Sequence, residues 1–477
     1  MKIVLLIFFY LGCIVHARSQ DAHYWTEQYG TKSILLSGSN IGSVEDLGAV
    51  YYNPARLSLN EDEIFLISGK VYQLSSYSFH NKTGNDRTSP RSQSNFGGAP
   101  SLLAGTYRIK GLKKHSFAYS FMSRRRMDLN LNESGSTYGN SFPSIPGNEY
   151  LSGDIGMQKK FNEEWLGLSW AYAFNDHFSV GISNFLSIRK QSASEMIQIQ
   201  AYTEAEKLES YSNKNSYNFS HIGILWKIGL AWEHNAFSWG LTITTPTQSL
   251  QGIGSFSYYQ HYTGALDDKA IYERNTQSDI EVQYQTPFAI ATGIGLKTKF
   301  GTFHASTEYY SAIKKYTLMK SDEFTGQSSG TLYQTSLIDE LNPVLNFGIG
   351  YNYVFNNAIQ AYLSYSSDFS GSVTDINNSS VTISESYAST ISSDINHLGG
   401  GIVLSFKRAN LTLGTTLATT KYTVNRPFSF PEENGRGISS SDNQTDIRWN
   451  RWRFIVGISV PFLHDWTKKI KSKVLDK

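Results

Sequence analysis

The segment Gly326 to Gly330, "GQSSG", has the G-x-S-x-G spacing of a nucleophile elbow. That motif works by forcing a serine out of a sharp strand-to-helix turn, where its hydroxyl is free to attack. Here it lies inside the polar stretch "SDEFTGQSSGTLYQ", with no helical periodicity after it. Without that context the spacing reads as chance. No HExxH or CxxC spacing occurs, and the 11 histidines are scattered. The residues therefore call for no metal, no other cofactor and no hydrolytic chemistry, and the chain is expected not to be an enzyme.

The charged residues Lys227, Glu233, Lys297, Lys299, Glu308, Lys407 and Arg453 carry more meaning, because they fall within or beside runs that otherwise alternate apolar and small. In "WLGLSWAYAF", Leu166, Leu168, Trp170, Tyr172 and Phe174 share one face, and Trp165, Gly167, Ser169, Ala171 and Ala173 share the other. "LNFGIGYNYVF", "ILWKIGLAW", "FAIATGIGLKTKF" and "WRFIVGISVPF" repeat the pattern. Period-two alternation of this kind is the mark of strands. A soluble sandwich would use strands of about five or six residues. These runs reach about ten, the length a tilted strand needs to cross a bilayer, with aromatics near their ends. The apolar face then meets lipid and the small or polar face lines a lumen.

Fourteen such segments, centred near residues 68, 105, 121, 170, 183, 228, 242, 291, 309, 350, 363, 401, 416 and 456, predict an all-β fold, a 14-stranded antiparallel transmembrane barrel. Tight connections at 110–114, 175–176, 234–235, 300–301, 356–357 and 408–410 alternate with long polar stretches such as Gln191 to Tyr217 and Leu250 to Asp279. Short turns on one rim and long loops on the other are the outer-membrane arrangement, with the turns periplasmic. An even strand number puts both termini on that side. The strand charges must then face the lumen or a rim, since a Lys or Arg on the lipid face at mid-depth costs roughly 2–4 kcal/mol. Pairing with one another and with a plug is the expectation; binding a substrate carboxylate is the alternative.

The ends fit an exported protein of a bacterial envelope. Residues 1–19 combine a lysine, an apolar run and an Ala17-x-Ser19 cleavage site, as a signal peptide does. Cleavage removes Cys13, the only cysteine, so the mature chain forms no disulfide. A net charge of +2 gives no general pull toward nucleic acid. The aromatic content, 30 Tyr, 27 Phe and 9 Trp at a mean hydropathy of −0.33, suits a sheet whose faces meet different solvents. Residues 61–462 are assigned to the barrel and 463–477 to a basic periplasmic tail, with a surface-binding helix as the alternative.

Residues 20–60 do not alternate, yet Ile34, Leu35, Leu36, Val44, Leu47 and Val50 are too apolar for a solvated linker. A 14-stranded barrel is wider than its own side chains fill, so this segment is expected to plug it. In "SVEDLGAVYYNPARL" the rigid Asn53-Pro54 step ends the plug, and strand one follows from Ile64. The order of Gly-rich segment, Asp46, then Asn53, Pro54 and Ala55 resembles the N-terminal hatch of the FadL/TodX family of outer-membrane transporters. The resemblance continues through "TPFAIATGIGLKTKFGTFHASTEYYSAI" and the last hairpins, while the tail beyond Phe462 departs from it. It implies a monomer in outer-membrane lipid, passing hydrophobic small molecules such as long-chain fatty acids or aromatic hydrocarbons, with Asp46, Asn53, Pro54 and Ala55 in the gate. The rival is a barrel of the same fold that scaffolds protein secretion and binds protein partners through its extracellular loops. Apolar residues in those loops, among them Ile197, Tyr202, Phe256 and Tyr258, favour a hydrophobic capture groove.

Overall fold

The computed structural model describes residues 23–59, 63–81, 89–96, 100–107, 109, 111–140, 147–263, 270–373, 385–387, 393–425 and 444–461. The leader at 1–19 and the tail at 463–477 lie outside them. Fourteen antiparallel strands close into one barrel. They are β1 (Glu63–Asn81), β2 (Ser89–Phe96 with Pro100–Tyr107), β3 (His115–Gly139), β4 (Glu149–Ala173), β5 (Phe178–Thr203), β6 (Leu208–His234) and β7 (Phe237–Thr244 with Gln248–Thr263). The rest are β8 (Ile271–Glu281 with Ala289–Lys297), β9 (Gly301–Tyr310), β10 (Val344–Asn356), β11 (Ile359–Asp368), β12 (Ile395–Ser405), β13 (Asn410–Asn425) and β14 (Gln444–Pro461). Three strands are interrupted, and in each case both pieces pair with the same neighbour, as both pieces of β2 do with β1. The seam is β1 against β14, from Glu63 opposite Pro461 to Asn81 opposite Thr445.

The predicted facing holds. Leu166 and Leu168 on β4, Leu345 and Ile349 on β10 and Leu363 on β11 point outward and are exposed, while Trp165, Ser169, Ala171 and Asn346 are buried inward. All six tight turns recur at one rim. No helix is long and apolar enough to cross a membrane, which bears only on helical spans.

The long stretches differ from expectation. Gln191 to Tyr217 is not a loop but the upper half of β5 and β6, joined by a turn at 204–207. Leu250 to Asp279 likewise belongs largely to β7 and β8. Strands β3 to β6 run 25 to 27 residues. At about 3.3 Å per residue they extend roughly 80–90 Å, far beyond what a ~30 Å hydrocarbon layer requires. Their upper halves lack a continuous apolar outward face. That absence is what makes them look like loops in sequence.

The space between these tall hairpins is occupied. Residues 311–343 form a small sheet, Ile313–Lys320 against Ser336–Leu341, whose Leu318, Met319 and Leu337 pack with Tyr217, Phe219 and Phe256 in a second apolar core. Phe256 and Tyr258 are therefore buried, Phe256 in this packed core. The elbow-like segment lies on this inserted piece. Ser328 Oγ donates to the Tyr272 carbonyl at 3.1 Å, and the Ser329 N–H donates to Glu273 at 2.8 Å. A short strand pair, not a helix, surrounds it.

Candidate functional site: the hatch and its seat

Residues 23–59 run through the lumen with almost every side chain buried. Their only regular structure is three single turns, at Ser33–Leu36, Ala49–Tyr52 and Pro54–Ser58. So short a helical turn is not self-sustaining. What organises the segment is Asp46. Its Oδ2 accepts from the backbone N–H groups of Thr31, Lys32 and Ser33 at 2.7, 2.7 and 3.0 Å. Its Oδ1 accepts from Ser33 Oγ at 2.6 Å and the Gly48 N–H at 3.0 Å. One buried carboxylate thus satisfies a run of donors that would otherwise be stranded away from water. Nearby, burial pushes the Glu45 carboxyl up, but Lys32 at 3.5 Å together with His304, Arg56 and Lys297 outweighs it and holds the group below its usual range.

Asn53 joins two of the turns in extended backbone. Its Nδ2 donates to the Ile41 carbonyl within the hatch at 3.2 Å and to the Leu230 carbonyl of β6 at 2.9 Å; its Oδ1 accepts from the Ala55 N–H at 3.1 Å. Pro54 starts the last turn, where a missing N–H costs nothing. The wall beneath is bare: Gly181 of β5 lies directly opposite Gly229 of β6. A Cβ on Gly229 would sit 2.9 Å from Pro54 Cδ and closer still to Asn53 Oδ1, and one on Gly181 would overlap the backbone of Pro54 and Ala55. Asp46 and Asn53-Pro54-Ala55 are therefore both in the hatch, but in different roles: one folds the segment and the other seats it.

Around the seat the small lumen face supplies hydroxyls. Ser183 Oγ donates to the Val50 carbonyl, Thr242 Oγ1 to that of Tyr52 and Ser179 Oγ to that of Ala55, at 2.7, 2.8 and 2.9 Å. Charged groups complete the attachment. Glu233 takes Arg56 of the hatch at 2.7 Å and Lys297 at 2.5 Å. Glu308 accepts from Trp25 Nε1 at 2.7 Å and faces Lys227 at 3.9 Å. Arg453 and Lys70 both bond Glu27. Lys299 lies over the Phe300 ring and Lys407 is exposed, both in rim turns. The strand charges are thus engaged in pairs, with the hatch or with each other, or lie on a rim.

Sequence inspection missed the other half of these pairs. Glu27 and Asp368, which accepts from the Trp25 N–H at 2.9 Å and Thr26 Oγ1 at 2.6 Å, carry no motif. Glu163 and Arg189, paired at 2.9 Å above the hatch, share the phase of the lumen-facing residues on β4 and β5, a signal that would have found them. Tyr29 Oη reaches the Ser123 and Arg124 carbonyls at 3.3 and 3.1 Å, at a bulge in β3 that only the register reveals. The space among Tyr24, Trp25, Tyr51, Tyr52 and Glu308 amounts to ≈ 10 Å³, about enough for one water molecule.

No family model and no curated protein matches the sequence. Among solved structures the chain is similar to the Pseudomonas putida toluene transporter TodX, with 12% identity, 92% of this chain and 100% of that one covered, and a TM-score of 0.53. It is similar to the Ralstonia pickettii toluene transporter TbuX (14% identity, 92% and 99% covered, TM-score 0.51) and to the CymD monoaromatic hydrocarbon channel (11% identity, 93% and 100% covered, TM-score 0.53). At such identity the likeness is one of fold, and the fold is FadL/TodX-like. These neighbours are transport proteins, not enzymes.

Proposed function

We propose that this chain is an outer-membrane transporter for the passive uptake of hydrophobic small molecules, long-chain fatty acids or aromatic hydrocarbons, through a barrel gated by its hatch. The observation that carries the proposal is the hatch itself, residues 23–59 buried almost throughout inside the barrel and seated on a glycine-floored wall. A solute can pass only if that segment moves. The neighbours' roles, as toluene transporters and a monoaromatic hydrocarbon channel, support the aromatic part of that substrate class by analogy of fold.

The hatch is residues 20–60, cut off from a leader at 1–19; the barrel is 61–462 and the tail 463–477, with both termini periplasmic and the protein a monomer. Burying an acyl chain gains about 0.8 kcal/mol per CH₂, so capture is easy and release is the difficulty. A segment held by separable hydrogen bonds and ion pairs answers that difficulty. Asn53, Pro54 and Ala55 are the hinge, and Asp46 keeps the moving part folded.

The test is uptake of a labelled fatty acid, an aromatic hydrocarbon and a small sugar in a host lacking its own hydrophobic transporter. The chain, its Pro54→Gly variant and a form lacking residues 23–59 are compared at matched outer-membrane levels. Hydrophobic uptake altered by Pro54→Gly, with the sugar excluded until the hatch is deleted, supports the proposal. No uptake by a correctly folded barrel rejects it and favours a secretion scaffold.

A further inference from the structure

On the outward surface the apolar bands of β5 and β6 end along a single row, and that of β4 ends one outward residue lower, at Leu166, so that the exposed Glu164 lies opposite Ile188. On β6 the outward residues from Trp232 down to Ile222 are apolar, and the next is Ser220. On β5 the band ends at Ile188, directly opposite Ile222, and the next outward residue is Lys190, opposite Ser220. On β4 the residue opposite Lys190 is Asn162, and opposite Asn162 on β3 is Arg126. The following row is Asp128, Lys160, Ser192, Asn218 and Ser255.

From β4 to β7 these two rows floor a groove of ≈ 570 Å³ on the outer face of the sheet, where Lys160 and Lys190 stand among Asn162, Ser192, Asn218 and Ser255, with Asp279 as the one carboxylate in its lining. It continues upward into a second hollow of ≈ 680 Å³ that shares Lys160 and adds Lys214. Lys160 faces Asp128 only at 3.9 Å, with both side chains more than half exposed. A band of about ten residues per strand matches the hydrocarbon thickness, so the groove sits at headgroup level. Its cations would be costly if pushed into lipid, and its hydroxyls and amides would be idle in a purely ionic contact. Together they suit a sugar bearing phosphate.

We infer that this groove binds the phosphorylated sugar headgroup of an outer-leaflet glycolipid, with Lys160 and Lys190 on the phosphate and Asn162, Ser192, Asn218 and Ser255 on sugar hydroxyls. The inference rests on the orientation proposed above, in which the tall hairpins are extracellular. An Ala205→Cys variant, labelled at the β5–β6 tip from outside intact cells, reports that orientation separately from transport.

The experiment uses the full chain in detergent micelles with labelled bisphosphorylated lipid A, the same lipid stripped of phosphate, phosphatidylglycerol and inorganic phosphate. Lys160→Ser with Lys190→Ser should weaken lipid A binding about thirtyfold, taking each lysine near a charged surface at its usual worth. Removing the lipid's phosphates should do the same to the unmodified chain. Lys113→Ser with Lys407→Ser, the same charge removed from the opposite rim, should change nothing. Retained heat-modifiable migration on gels shows that each variant is folded. Undiminished binding by the groove variant overturns the inference. So does phosphatidylglycerol binding as tightly as lipid A, which would leave the sugar unread, or inorganic phosphate displacing lipid A at equal concentration, which would make the ligand a free anion.

Discussion

Asp46 and Gly229 show how much of the hatch depends on single atoms. Asp46→Ala strands the N–H groups of Thr31, Lys32 and Ser33 in a buried site. A charge-assisted hydrogen bond is worth about 1.5–3 kcal/mol, so losing this set should cost the hatch about 3 kcal/mol or more. The check is amide exchange at residues 31–33, expected to speed up by about a hundredfold while the barrel strands keep their protection. Unchanged exchange would mean Asp46 does not organise the segment. Gly229→Ala acts on the other partner of the contact. The new methyl meets Asn53 and Pro54, and overpacking of this kind costs about 1–3 kcal/mol. The expected result is a barrel that still migrates as folded but whose hatch is cut faster by protease. Gly139→Ala, where an added Cβ meets nothing, serves as the control.

At the scale of elements, fourteen strands were legible because lipid imposes a period of two that no loop sustains. "ILWKIGLAW" and "LNFGIGYNYVF" declare their outward faces residue by residue, and those residues are exposed or half-buried while their alternates on β6 are buried. The upper hairpins were not legible, since above the lipid edge "SASEMIQIQAY" has no solvent contrast to impose a phase. The insertion at 311–343 was hidden for the same reason: its apolar residues are few, and their partners Tyr217, Phe219 and Phe256 lie on other strands. Within the hatch, Asn53-Pro54-Ala55 could be read, but its glycine seat depends on register, which sequence does not print. Glu27 is the sharpest instance. It bonds Lys70 of β1 and Arg453 of β14, the two strands of the seam. Glu27→Gln leaves two buried cations without a counter-charge, a loss of about 3–5 kcal/mol. Urea unfolding in detergent should show it, and adding Lys70→Met should recover part of the loss. Full additivity of the two changes would rule out the shared carboxylate.

At the scale of the molecule, the proposed function requires the hatch, buried inside the barrel, to close it to solutes at rest. In planar bilayers the intact chain should therefore carry no steady ionic current, and a form lacking residues 23–59 should open a wide, stable conductance. Porin-like current through the intact chain would contradict the seal. The same anatomy sets the order in which the molecule can be assembled. The bonds to Asp46 reach back no more than 15 residues, whereas Glu27 must wait for Arg453, 426 residues later. Contacts that close such long stretches of chain form late. The hatch can therefore wind around Asp46 soon after it emerges and finds its floor when β5 and β6 arrive, yet its start cannot be tied down by Arg453 until the last strand is in place. For much of its biogenesis this chain carries a part that is already shaped but only half docked, so any factor that folds it must hold residues 23–59 against an open wall until the seam closes.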